Sequence, residues 1–263
     1  MSFKRIEAII LRQVYLYKRS FTRLLEVFYW PMLDLLLWGF VTIYLQRSSE
    51  GLPAFVSYFL GALILWDILF RAQQGISVSF LEDMWARNLI NIFVSPIKVS
   101  EYLLGLITIS ILKVVIAFIV MSSLAWLFYS FRIFQIGLTL LPLVLNLVVM
   151  GLAVGIFTTA LILRFGQEAE ILAWAIALLF MPFSAVFYPV NVLPPVLREI
   201  ACFIPSAHVF EGMRMVISTS KIPVKNILWA SVLNSIYLLL ALFFFLRIHK
   251  GALTRGILPK IGE

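Results

Sequence analysis

Cysteine occurs once and histidine twice in 263 residues, and only 13% of the residues are charged. A lone Cys202 excludes an internal disulfide and reads as a buried thiol. With only His208 and His249, and no carboxylates clustered near them, a histidine-rich metal site is not expected. No glycine-rich phosphate loop with a following Lys-Ser or Lys-Thr is present, so the chain itself has no Walker site for ATP. Gly-x-Ser-x-Gly and His-Glu-x-x-His are also missing. So are the paired discontinuous spans of secondary transporters. The charge is too sparse for a soluble domain of this size, which needs far more polar surface.

What is present is apolar. Hydrophobic residues make up 62% of the chain, and the mean hydropathy is +1.02. Six stretches are long enough to cross a bilayer core of about 30 Å, which takes roughly 20 residues of helix. They run from about Leu24 to Leu45, Pro53 to Phe70, Tyr102 to Tyr129, Gly137 to Leu163, Ile171 to Tyr188 and Asn226 to Leu246. The expected fold is all-α: one polytopic membrane domain over residues 1–263, with no soluble domain and no cleavable signal peptide. The third run is longer than a bilayer needs, so it tilts or protrudes. Pro182 predicts a kink in the fifth.

The net charge of +8 belongs to residues flanking the spans, not to a nucleic-acid stripe. With both termini on one side, fourteen cations collect there, Arg255 and Lys260 of the tail included, against six opposite. That bias predicts cytoplasmic termini in a plasma membrane, the inner membrane of a bacterium.

Between the spans, four features stand out. Residues 1–23 form an amphipathic helix, with Phe3, Ile6, Ile10, Val14, Tyr17 and Phe21 on one face, suited to the headgroup layer. Residues 71–98 form a cytoplasmic loop carrying a helix on which Leu81, Trp85, Leu89 and Ile92 share a face. Docking onto a protein suits its acidic start, Glu82-Asp83, better than docking onto anionic lipid. Residues 189–225 form an external segment, in which two apolar-faced pieces around Pro205 make a re-entrant pair or surface helices. Within it Glu211 and Arg214 pair, contributing little if exposed. Gly151-x-x-x-Gly155 and Ala169, Ala173 and Ala177 mark close helix contacts, within the chain or between copies.

Two charges lie inside spans. Asp34 and Lys113 reach similar depth, either as an ion pair or with Asp34 facing a polar pathway beside Trp30 and Trp38, which share its face.

The stretch Phe187-Tyr188-Pro189-Val190-Asn191-Val192-Leu193-Pro194, followed by Pro205 and Glu211-Gly212-Met213-Arg214, resembles the segment between the last two spans of the ABC-2 type permease family. With the basic N-terminal helix, the six spans and the long first loop, the resemblance covers nearly the whole chain. It implies the membrane subunit of an ATP-binding-cassette exporter, paired with a second permease copy and a nucleotide-binding ATPase subunit on which ATP and Mg are bound. It implies that Leu81, Glu82, Asp83, Trp85, Arg87 and Leu89 belong to the helix that couples to the ATPase, and that the route runs between copies. The region 18–26 departs from the polysaccharide-exporting pattern and is more similar to the branch exporting drugs and small lipidic molecules. A drug, lipid or glycolipid is therefore the expected substrate, with a lipid-linked glycan or polysaccharide as the alternative. Two other classes remain open: a lipid-acting membrane enzyme using His208 and Glu211, and a proton-coupled carrier using Asp34.

Overall fold

The computed structural model describes residues 1–48 and 55–254. Half of the polar turn expected at 46–51, the expected start of the second span at Pro53, and the tail cations Arg255 and Lys260 lie outside them. The described residues form ten α-helices and no strand. They are α1 (Phe3–Arg19), α2 (Phe21–Ser48), α3 (Phe55–Trp85), α4 (Leu89–Val94) and α5 (Val99–Tyr129), then α6 (Leu140–Phe165), α7 (Leu172–Phe183), α8 (Pro195–Cys202), α9 (Pro205–Thr219) and α10 (Val224–Thr254). Helices α2, α3, α5, α6 and α10 are long and apolar enough to cross a membrane. Helices α8 and α9 form a pair bent by 96°, the broken apolar pair expected around Pro205.

Helix α3 is the axis of the bundle. It packs between α5 and α6, and α10 covers the far side of α6. Between membrane helices, lipid is as apolar as leucine, so close backbone approach and interhelical hydrogen bonds supply the association. Small residues mark these contacts. A Cβ on Gly151 would fall 2.5 Å from the Leu69 carbonyl oxygen, and one on Gly155 would fall 2.8 Å from that of Gln73. The Gly151–Gly155 stripe therefore joins α6 to α3 within one chain. The alanine stripe is likewise internal: Ala173 and Ala177 are fully buried, and the Ala173 carbonyl accepts a hydrogen bond of 3.0 Å from Gln73 Nε2. Asn234 Nδ2 donates to Asn146 Oδ1 and to its carbonyl, both at 2.9 Å, tying α10 to α6.

Two expectations change. The fifth apolar run is helical only over Leu172–Phe183, roughly 18 Å at 1.5 Å per residue. Pro182 does not kink a longer helix but lies in its last turn, and the chain leaves through Ala185 at φ 50°. The cause is Arg214, described below. Cys202, read as a buried thiol, is exposed at the end of α8.

Both termini of the described bundle gather at one end. Ring centroids of Phe93 and His249 lie 5.1 Å apart, placing α4 against the last turns of α10. The Ser2 backbone N–H donates to Glu101 Oε1 at 2.7 Å, placing the start of α1 against the start of α5.

Candidate functional site

Helix α3 does not stop where its apolar run ends. It continues unbroken to Trp85, so residues 71–85 are a helical extension of the span and not a separate loop helix. Arg87 then adopts a left-handed conformation at φ 51°, which is uncommon for a residue with a Cβ. The turn is closed by Arg87 N–H on the Met84 carbonyl and Asn88 N–H on the Asp83 carbonyl, both 2.9 Å. Helix α4 sets off in a new direction from there.

This break divides the residues expected on one docking face. Leu81, Leu89 and Ile92 are buried, packed with Phe80, Met84 and Tyr102. Asp83 is 1% exposed, and Glu82 turns to Arg23 at 3.4 Å. Of the six residues from Leu81 to Leu89 named above, only Trp85 and Arg87 are exposed. A single helical face running through Leu81 and Leu89 is thus corrected: those leucines hold the corner, and the outward apolar residues are Trp85, Ile90 and Val94, the last 82% exposed. Trp85 Nε1 donates to Glu170 Oε2 at 3.2 Å, which joins this corner to the turn between α6 and α7.

Asp83 has an internal task. Its carboxylate accepts the Tyr102 hydroxyl at 2.7 Å and a two-pronged contact from Arg12 of α1. Glu101, also fully buried, accepts the backbone N–H groups of Ser2 and Lys98, with Arg5 at 3.5 Å. Ile9 of α1 sits against Gly105 of α5. Helix α1 is therefore clamped to the α3–α5 pair by two buried carboxylates, beyond what an amphipathic helix in the headgroup layer requires. The sequence signal was present in the acids, but their partners lie 71 and 99 residues away.

Asp34 and Lys113 are not brought together. The Lys113 ammonium stands 4.5 Å over the Tyr17 ring centroid and 3.2 Å from Ser79 Oγ, level with the junction of α1 and α2. Lys113 therefore lies beside the end of α1, whereas Asp34 lies further along α2, which starts at Phe21. Asp34 instead feels the charges of Arg71 and Asp67. Arg71 Nε bridges both Asp67 oxygens at 3.2 Å. That pair escaped the sequence reading, although its i, i+4 spacing on one apolar helix was the available signal. Trp30, Asp34 and Trp38 do share a face and all three are exposed on this chain. Trp38 leans on Phe59 of α3 at 6.0 Å.

The proline-rich segment has a defined role in the fold. Arg214 of α9 donates to the carbonyls of Ala185 and Val186, the latter at 2.9 Å, and pairs with Glu211 at 3.1 Å. Glu211 in turn accepts the Val190 N–H at 2.7 Å. The pair is more buried than expected, with Arg214 16% exposed, and it captures carbonyls released where α7 ends. His208 Nε2 lies 2.8 Å from the Cys202 carbonyl. Glu211 and His208 are thus each engaged by backbone and do not form an acid–base pair.

The profile of the ABC-2 family transporter proteins matches residues 39–248, most of the chain. The chain belongs to this family, and it is the membrane permease subunit of an ABC transporter, a class that pairs with an ABC ATPase subunit. The match takes in the α3–α4 corner and the Arg214 segment, while α1, Trp30, Asp34 and Trp38 precede it. A comparison with curated proteins returned no match.

Proposed function

We propose that this chain is the permease of an ATP-driven exporter that moves a hydrophobic or amphiphilic substrate, a drug, lipid or glycolipid, across a bacterial plasma membrane. Two copies face one another with two ATPase subunits, and ATP and Mg are bound on those subunits. Both termini and the α3–α4 corner lie in the cytoplasm, in keeping with the cation bias around the spans.

The observation that carries this reading is the corner itself. Trp85, Ile90 and Val94 project from the end of the bundle where α1, α4 and the end of α10 meet. Exposed apolar side chains on the aqueous side call for a protein surface to cover them, and Arg87 stands among them. The exposed stripe on α2, aromatic with an acid at its centre, supports an amphiphilic cargo. A carboxylate facing bare lipid is costly, so this face belongs to a polar route.

Co-purification with the ATPase tests the reading. Val94→Asp and Trp85→Ala should each weaken recruitment about tenfold or more, the scale of an interface hot spot, while leaving the bundle folded. Leu89→Asp should behave differently: Leu89 is 3% exposed, so it damages the corner and lowers stability. A full chain that recruits no ATPase, or a Val94→Asp chain that recruits it as well as wild type, refutes the assignment. Uphill transport by the chain alone does so too.

A further inference from the structure

Asp34 stands half-way along α2, roughly 20 Å from the start of that helix at 1.5 Å per residue. It is exposed on this chain, and among the described residues it joins no ion pair. The cation whose field reaches it is Arg71 of α3. Arg71 is already held by Asp67, with Nε at 3.2 Å from both carboxylate oxygens. When ionised, two carboxylates and one guanidinium leave a single negative charge, and it sits on the exposed member, Asp34. A charge at this depth is costly unless something pairs with it.

Aromatic rings frame that carboxylate. Trp30 and Trp38 lie one helical turn before and after it, about 6 Å along the axis in each direction. Each indole is braced by a second ring. Tyr29 meets Trp30 at 75° with centroids 5.5 Å apart. Phe59 of α3 lies 6.0 Å from Trp38 and itself stacks on Phe187 at 4.6 Å. Both indoles are otherwise open, Trp30 being 58% exposed and Trp38 43%. The exposed apolar neighbours on this stretch are Leu33 and Leu37. A carboxylate with an indole on either side suits an organic cation: the acid supplies the opposite charge, and the negative faces of the rings attract the same positive group. An anionic amphiphile would be repelled by Asp34. A sugar ring needs several hydrogen-bonding groups around it, and Asp34 is the single polar side chain among Trp30, Leu33, Leu37 and Trp38.

We infer that the Trp30–Asp34–Trp38 face is a cargo site and that its cargo is a lipophilic organic cation. The positive group rests on Asp34 between the two indoles, and the apolar body lies along Leu33 and Leu37. Trp38, Phe59 and Phe187 then offer a succession of rings from the site to the proline-rich segment before α8. The transport role rests on the exporter reading above, whereas binding of the cation needs no ATPase.

The test measures equilibrium binding to the purified full chain in neutral detergent. Its two probes match in size and shape and differ in the sign of charge: tetraphenylphosphonium and tetraphenylborate. The phosphonium should bind saturably, and the borate at least about tenfold more weakly. Asp34→Asn removes an exposed charge, so the chain should keep its melting profile while phosphonium binding weakens about tenfold. Asp34→Glu should stay within about threefold of wild type, since the charge is kept. Trp30→Leu and Trp38→Leu should each weaken binding about two- to fivefold. Trp229→Leu, at an exposed tryptophan of α10, should change it less than about twofold. Absence of saturable phosphonium binding overturns the proposal. So does equal binding of the two probes, or wild-type affinity in the Asp34→Asn chain. If Asp34→Asn breaks self-association and leaves phosphonium binding intact, the face lies between copies and the proposal falls. If a tryptophan variant fails to fold, the Asn and Glu variants at Asp34 decide. Co-purification of the ATPase is scored separately. Recruitment without phosphonium binding refutes the cation site alone, and phosphonium binding without recruitment refutes the exporter reading alone.

Discussion

Gly151→Ala adds one methyl group at the close crossing of α3 and α6. The new Cβ would lie 2.5 Å from the Leu69 carbonyl oxygen, 2.6 Å from the Ala72 Cβ and 3.2 Å from the Gln73 nitrogen. Comfortable contact between such atoms begins near 3.5 Å, so α3 and α6 must part by roughly 1 Å over a full turn. Two of the three obstructing atoms are backbone and cannot rotate away. Overpacking of this kind costs about 1–3 kcal/mol. Gly155→Ala meets the next turn of the same crossing at 2.8 Å from Gln73 O, so the double variant should lose less than the sum of the two. The matched control is Gly251→Ala, where nothing among the described residues lies within 4 Å of the added Cβ. A glycine inside a helix costs about 0.5–1 kcal/mol relative to alanine, so this variant should be as stable as wild type or more so. Reversible unfolding in mixed micelles by increasing SDS, followed by circular dichroism, measures all three. If Gly151→Ala unfolds at the same point as Gly251→Ala, the crossing is not as close as described. If it leaves unfolding unchanged but abolishes self-association, the glycine stripe lies between copies and the packing argument fails.

Two further outcomes follow from buried charge. Asp83→Asn removes the charge and one of the two oxygens that accept from Arg12 and Tyr102 and should cost about 1.5–3 kcal/mol; hydrogen exchange in α1 should rise selectively, and unchanged protection there would refute the clamp. Arg214→Lys keeps the charge but loses the fork that reaches Ala185, Val186 and Glu211 together, so it should destabilise by about 1.5–3 kcal/mol. Protease cutting in the 184–193 segment should increase, and a wild-type cleavage pattern would count against the capture of these carbonyls.

The all-α membrane architecture was legible because lipid imposes a length and a composition on every crossing. The bent pair at Pro205 was legible for a related reason: proline has no N–H to give, and each flanking piece carries its own apolar face. What stayed hidden depends on contacts distant in sequence. Leu81, Trp85 and Leu89 share a face only if the helix runs on through Arg87, and the left-handed turn there is set by tertiary packing. Asp34 and Lys113 matched in depth only if both helices start at one level, and Lys113 instead lies beside Tyr17, before α2 begins. The choice between inner and outer contacts for Gly151 was undecidable from spacing, since a glycine stripe is equally suited to either. Arg71 was counted as a loop cation because the apolar run ends before it; its partner Asp67, one turn earlier, shows that the helix continues.

The continuity of α3 has a mechanical consequence. Its 31 residues make a rod of roughly 46 Å, with the Trp85 corner at one tip and the last turns of α9 beside the other. A tilt of about 5° swings one tip roughly 4 Å relative to the other, about the width of an alkyl chain. Under the proposed docking of an ATPase at the corner, a small stroke there would be enough to open or shut a slot at the other end of the bundle, with no need for any helix to unwind along the way.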